Sequence, residues 1–483
     1  MGRHRGPNHC RERRDLGIRI TFRTRRRDQR MIDYRVRTHP TEVPTEPTET
    51  RLLDWAPGKT SATIQFGNRS GSAFFNGWRA PREALDLFLL GASVYCADKT
   101  ALRSPTSDVW TREVRLEVPV GNLGAWQQAR WDETVGFLTG DRWNIVPYAE
   151  ERSPVAGMSV VTDDVTPVGD VDAVSLFSGG LDSLTGVIDL LEENPDRRLC
   201  LISHNEGDQA STAQQKLLAK LRSHYGEDRL EVRRLFLRPA PANAQQPRPL
   251  PTARETTTRA RSLLFLTAGL ALASSIGPDV PVYIPENGFI GINVPLTRAR
   301  SGSFSTRTTH PHFIELLHSA ATLVGVSNPI LNPFRLKTKG EILAGSRNPG
   351  LLRELAPDSI SCSHPEAARF VSREQGNCGY CFPCLIRRSS MAHVDWDGPD
   401  GYAWDALTGE DLLDHDTRRA ADLRAVINGV YASRPDRDIL RNGPIPNGEH
   451  REFLRVWRGG IAELGAWFDN ATGATAKIVK ELQ

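Results

Sequence analysis

The stretch Val171 to Leu191, VDAVSLFSGGLDSLTGVIDLL, constrains the fold more than any other part of the chain. An apolar β-type run, Val171 to Phe177, meets Ser178-Gly179-Gly180-Leu181-Asp182-Ser183. Leu184, Val187, Ile188 and Leu191 then recur at helical spacing. This order predicts a strand, a glycine loop and the start of a helix. Backbone N–H groups and the helix dipole make an anion site at such a point. The two glycines let the main chain approach a phosphate closely. Ser178 and Ser183 add hydroxyl donors, and Asp182 is placed to hold Mg²⁺ against phosphates. The loop is not a Walker A, because no lysine follows the glycines. Gly58-Lys59-Thr60 does offer a lysine, but the upstream glycine of that pattern would fall on Leu53. The plainer alternative for SGGLDS is a turn with a helix N-cap.

The chain has 483 residues, enough for two to three domains with separate cores. A net charge of +3 gives no argument for a nucleic-acid partner. The most apolar window, Ser262 to Ile276, is too short for a bilayer span and is broken by Ser, Thr and Gly. No apolar signal-peptide core is visible at the N-terminus, so the cytoplasm is expected, with no membrane association. Cys10, Cys96 and Cys200 are scattered, which fits reduced thiols better than a disulfide framework.

Four regions follow. Residues 1–44 read as a disordered arginine-rich tail and Pro/Thr/Glu linker, with Met31 as an alternative translation start. Residues 45–165 read as an α+β domain. Ser61–Phe66 and Trp110–Val118 alternate like half-buried strands, Arg82–Ala97 is a helix running into a strand at Val94–Asp98, and Trp126–Leu138 is one amphipathic helix. Residues 166–398 alternate strand and helix, which implies a parallel sheet with ligands at the carboxyl ends of its strands. His204 stands at one such end, placed to touch adenine or ribose. Arg259 and Arg261 crowd a helix start, which is unfavourable without an anion nearby, so both are candidates for phosphate or carboxylate binding. Residues 238–252 are too rich in proline for a helix or a central strand and read as a loop over the site or an insertion. Residues 399–483 read as two or three helices without chemistry of their own.

Cys362, Cys378, Cys381 and Cys384 form C-x15-C-x2-C-x2-C. Four thiolates at this spacing close a tetrahedron around Zn²⁺, a structural and not a catalytic arrangement. An iron–sulfur cluster is the rival occupant.

The glycine loop resembles the SGGxDS pyrophosphate loop (PP-loop) of N-type ATP pyrophosphatases. That resemblance implies that ATP is held by its pyrophosphate end while a substrate atom attacks the α-phosphorus. Loop and cysteines together, over about residues 172–392, resemble the 7-cyano-7-deazaguanine synthase (QueC) family. Thr256–Leu266, TTTRARSLLFL, matches its helix start. Asn332–Ile342, NPFRLKTKGEI, matches its strand end and brings in Lys339. Ser361-Cys362…Cys378-Gly-Tyr-Cys381-Phe-Pro-Cys384 matches its zinc knuckle.

The resemblance implies an adenine-nucleotide α-hydrolase-like α/β domain and an ATP-dependent carbon–nitrogen ligase. The carboxylate of 7-carboxy-7-deazaguanine is adenylated and ammonia displaces AMP; a second ATP converts the amide to the nitrile. Ser178, Asp182 and Ser183 would carry the chemistry. Ser178 to Ser183, His204, Arg259, Arg261 and Lys339 would bind ATP. Two departures stand out. The outer regions are absent from the housekeeping enzyme, and His310-Pro311-His312 replaces a Tyr-Pro-Asp-type substrate segment. The extended architecture resembles the QueC-like proteins of bacterial Qat anti-phage systems. That implies an ATPase, a small acceptor protein and a TatD-like nuclease as partners, and an acceptor amine on a protein. A tRNA-thiolating enzyme with the same loop and a nucleotide-sensing scaffold are the alternatives.

Overall fold

The computed structural model describes residues 31–39, 44–67, 74–75, 77–106, 108, 110–152, 154, 170–204, 208–296, 307–371, 376–413 and 419–483. The arginine-rich stretch before residue 31, with Cys10, lies outside them, as do residues 205–207.

Among the described residues five strands precede residue 150: β1 (Ile32–Arg37), β2 (Arg51–Asp54), β3 (Ile64–Phe66), β4 (Glu113–Val120) and β5 (Arg142–Ala149). All but β3 join one sheet in the order β2-β1-β4-β5, with every pair parallel. Two expectations are corrected here. Ile32–Arg37 fell inside the stretch read as a disordered tail, 1–44. It is in fact an inner strand with Tyr34 and Val36 fully buried, so the N-terminal unit begins at least as early as residue 32. The unit is also α/β and not α+β. Parallel neighbours need crossover connections. Here these are α1 (Arg82–Thr100) between β2 and β4, and α2 (Leu123–Gln128) with α3 (Trp131–Thr139) between β4 and β5.

The helix α1 does not turn into a strand at Val94–Asp98 but continues to Thr100. Apart from Arg82, Glu83 and Lys99 all its residues are buried. A helix apolar all round must be enclosed, and α1 packs on α6 (Arg261–Ile276) of the second unit. A Cβ on Gly91 would collide with the hydroxyl of Thr267, so only glycine permits this crossing. One hydrophobic core therefore runs through both units.

The second sheet contains β6 (Ala173–Leu176), β7 (Leu199–His204), β8 (Leu230–Leu235), β10 (Val282–Tyr283) and β11 (Ile330–Leu331). Its order is β11-β10-β6-β7-β8, again all parallel. α6 covers one face, while α4 (Leu181–Glu193), α5 (Asp208–Tyr225) and α10 (Pro349–Leu355) build a separate core on the other. In chain order the sheet runs outward from β6 to β8, then restarts on the other side with β10. That reversal opens a crevice between the carboxyl ends of β6 and β10.

Between the two sheets β9 (Leu237–Pro239) pairs antiparallel with β3. Residues 238–252 were expected as a loop over the site or an insertion. They run along the N-terminal unit and clasp it: Gln246 donates to the Ala62 carbonyl at 3.0 Å and Arg248 to that of Pro47 at 2.9 Å.

Past β10 come α7 (Gly288–Ile292), α8 (Pro311–Leu323), α9 (Lys339–Ala344) and α11 (Phe382–Ala392). The C-terminal helices α12 (Ala420–Tyr431), α13 (His450–Phe468) and α14 (Gly473–Leu482) complete a third core around the cysteines. Among the described residues no helix is long and apolar enough to cross a membrane.

Candidate functional site

The run from β6 into α4 is the strand, loop and helix that the sequence dictates, and it opens into the crevice at the sheet's reversal point. Gly179 has φ +78, and a Cβ there would stand 2.9 Å from Gln214 Cγ, so glycine is required on both counts. Gln214 of α5 fixes the turn by donating to the Ser178 carbonyl at 3.0 Å. Within the loop the Ser178 and Ser183 hydroxyls are 3.1 Å apart, and Ser183 donates to the Gly180 carbonyl at 3.0 Å. No side chain caps α4 from its N-cap residue, Gly180. First-turn N–H groups of such a helix are suited to an incoming anion.

Asp182 lies in the first turn of α4, and its two oxygens are held by different elements. Oδ1 sits 2.7 Å from the Lys339 ammonium at the start of α9. Oδ2 accepts from the Asn287 side-chain amide at 2.6 Å and from its backbone N–H at 3.1 Å. Asp182, Lys339 and Asn287 are all buried. Glu286, the next residue back from Asn287, is half-buried, and its carboxyl is pushed up to about 8 by burial, then by the adjacent Asp182 carboxylate, with Lys339 opposing. The reversal point thus gathers two carboxyl groups and one ammonium from three separate segments, with Asp182 and Asn287 105 residues apart in sequence.

Beside the loop is a cavity of about 150 Å³. Leu176, Ile202, Phe265 and Ile284 form its apolar walls, and Ser178 and Glu286 supply polar edges. An apolar slot with a few convergent polar groups is the usual form of a small-molecule site.

The predicted site residues divide in two. Ser178 to Ser183 and Lys339 converge as described. Arg259 instead stacks on Trp110, its guanidinium carbon 4.3 Å from the ring centroid, and donates to the Thr139 carbonyl at 3.3 Å. Burial lowers its pKa to about 10, with Arg103 and Arg307 adding repulsion. The anion that this helix start calls for is Asp98, whose carboxylate accepts from the Ala260 N–H at 3.0 Å and pairs with Arg112 at 2.5 Å. Arg261 lies over Phe265. The His204 ring packs edge-on against Tyr95 and Phe265, with Nε2 3.2 Å from the Leu237 carbonyl; burial, then Arg261, pushes its pKa down to about 3. His310 caps α8 and, with His312, packs against Phe137 of α3.

The four cysteine sulfurs all lie within 4.8 Å of one another, three of the residues buried, and this group could hold a metal ion. Cys362 and Cys381 are 3.8 Å apart, Cys378 and Cys384 3.9 Å. The Cys378 N–H donates to Cys362 Sγ at 3.3 Å and the Cys381 N–H to Cys378 Sγ at 3.4 Å, a pattern that favours thiolates. The cluster abuts the glycine loop directly. The Ser361 hydroxyl accepts from the Leu181 N–H at 3.1 Å, and the Ile360 N–H donates to the Gly179 carbonyl at 3.0 Å.

Glu286, Asn287 and Gln214 are site residues that the sequence reading did not single out. The meeting of Glu286 and Asn287 with Asp182 depends on strand order, because β10 pairs beside β6. No protein-family model matches the chain, and no curated protein matches it.

Proposed function

We propose that this protein is an ATP-dependent, AMP-forming carbon–nitrogen ligase of the QueC kind. It adenylates the carboxylate of a 7-carboxy-7-deazaguanine-type substrate and passes the acyl group to ammonia or an amine. The observation that carries the proposal is the placement of Ser178 to Ser183. A helix start with no cap from its own N-cap residue, its Leu181 N–H held by the Ser361 hydroxyl, follows two glycines at the reversal point of a parallel sheet, beside an apolar slot.

In this reading the loop N–H groups and the Ser178 and Ser183 hydroxyls bind the pyrophosphate end of ATP. The slot lined by Ile202 and Phe265 takes a flat ring. The carboxylate oxygen attacks the α-phosphorus, pyrophosphate leaves, and a nitrogen nucleophile then displaces AMP from the acyl carbon. Asp182 and Glu286 would hold Mg²⁺, which supplies positive charge against the phosphates. Lys339 and Asn287 fix the rotamer of Asp182. The chemistry is mostly positioning and charge stabilisation.

Zinc is our choice for the cysteine group. A Zn–S bond of about 2.3 Å in a tetrahedron requires sulfurs about 3.8 Å apart; two of the pairs stand at 3.8 and 3.9 Å, and all four sulfurs lie within 4.8 Å of one another. Its task is to brace the loop through Ser361. A thiolating activity fits less well, because it needs a reactive thiol. Outside the cluster, the described cysteines Cys96 and Cys200 are both buried, and burial raises both thiols, Cys200 to about 12. By resemblance we place the enzyme in a bacterial anti-phage system, where a companion protein could offer the amine.

The test is product analysis with ATP, Mg²⁺, ammonia and 7-carboxy-7-deazaguanine. AMP and pyrophosphate should form in equal amounts. Formation of ADP and phosphate, or ATP binding without turnover even with companion proteins present, would sink the proposal.

A further inference from the structure

A second cavity, of about 460 Å³, lies at the seam of the two units. It is lined by Lys99 from the last turn of α1, Arg238 and Pro239 of β9, and Pro241, Thr252 and Arg254 of the clasp. It shares no lining residue with the crevice beside the glycine loop. Three of its side chains are cationic and none is acidic.

Their partners make the cluster unusual. Arg238 donates to the Gln65 side-chain carbonyl at 2.9 Å. Arg254 donates only to backbone carbonyls, those of Ala240, Pro251 and Ala253. Among the described residues no carboxylate pairs with Lys99, Arg238 or Arg254. The two nearby acids are committed elsewhere. Asp98 serves Arg112 and the Ala260 N–H, and Glu255 accepts from the Arg103 and Thr257 N–H groups. Burial lowers the Lys99 and Arg254 pKa values, and Arg261 and Arg254 repel the Lys99 ammonium while Asp98 and Glu255 attract it. Lys99 and Arg254 are half-buried and Arg238 is exposed; half-buried cations without counter-charge are costly unless an anion joins them.

We propose that this seam cavity is a second anion site, which binds a phosphorylated small molecule. Three positive charges suit a phosphate dianion or a pyrophosphate better than a single carboxylate. Guanidinium forks match phosphate geometry, and the Thr252 hydroxyl is a further donor. The volume leaves room for an attached group against Pro239 and Pro241. The walls belong to both units, so the bound anion would tie α1 to the clasp.

The experiment is calorimetric titration of the full chain with inorganic pyrophosphate and, separately, with ATP. Wild type, Lys99→Met, Arg254→Gln and Ser178→Ala are compared. The proposal expects Lys99→Met and Arg254→Gln each to weaken one class of sites by about tenfold or more. The class weakened by Ser178→Ala should be unaffected by them. Whether pyrophosphate or ATP fills the Lys99-dependent class separates a free phosphate from a nucleotide source. Titrations unchanged by both seam variants would overturn the proposal. A thermal scan guards against mere misfolding. Without anion, Lys99→Met should melt no lower than wild type, since a repulsive charge has gone, and it should lose the rise in melting temperature that pyrophosphate gives wild type. A lower melting point without anion, with the pyrophosphate-induced rise retained, would count against the site.

Discussion

Consider Lys339→Met, which removes the ammonium facing Asp182. At 2.7 Å the pair's gross attraction is about 6 kcal/mol at an effective dielectric constant of about 20. Much of that offsets the desolvation of two buried groups. The relevant quantity is the cost of leaving one charge behind, about 3–5 kcal/mol for a buried pair. Asp182 keeps two hydrogen bonds from Asn287, so the lower end, about 3 kcal/mol, is expected at pH 8. Asp182→Asn combined with Lys339→Met removes both charges and should recover most of the loss, giving a coupling of about 2 kcal/mol. Urea unfolding of the three proteins at pH 8 measures all of this. A Lys339→Met protein within 1 kcal/mol of wild type at pH 8, or a double variant no better than the single one, would refute the buried-pair reasoning. It also follows that Asp182→Ala would disturb folding as well as activity.

Three further outcomes follow from the same geometry. Gly179→Ala combines a strained φ of +78 with a Cβ 2.9 Å from Gln214, so it should cost about 1–2 kcal/mol and weaken ATP binding in titration. Glu286 has its folded pKa raised from 4.5 to about 8, so the folded state holds the extra proton between those values and stability falls as pH rises across that window. Glu286→Gln should flatten this decline in melting temperature against pH, and an unchanged slope would rule out the assignment. Cys381→Ala, or metal removal by a chelator, should lower the unfolding midpoint and ATP affinity together, because the cluster holds the loop through Ser361 and Ile360. Metal analysis should find one ion per chain.

The parts legible in sequence were local. SGGLDS declared itself because strand, loop and helix are contiguous, and the cysteines because three of four fall within seven residues. What stayed hidden depends on distant partners. The Val94–Asp98 segment has strand-forming residues, yet packing on α6 keeps it helical. The strand β4 alternates polar and apolar residues like a strand of an antiparallel sheet. Its sheet is parallel with one open face, where Glu113 pairs with Arg142 at 2.8 Å and Glu117 with Arg35 at 2.5 Å. The start of α6 takes an anion at its Ala260 N–H, and nothing local showed that Asp98, more than 150 residues upstream, would supply it. Glu286 and Asn287 reach Asp182 only because β10 adds beside β6.

The central claim is that a carboxylate oxygen attacks the α-phosphorus of ATP at the Ser178–Ser183 loop. Carboxylate-¹⁸O-labelled 7-carboxy-7-deazaguanine, turned over with ATP and ammonia, tests it through the mass of the AMP released. Adenylation followed by displacement at the acyl carbon predicts one ¹⁸O atom in each AMP. Unlabelled AMP would mean that water, and not the carboxylate, had attacked phosphorus, and would contradict the assignment.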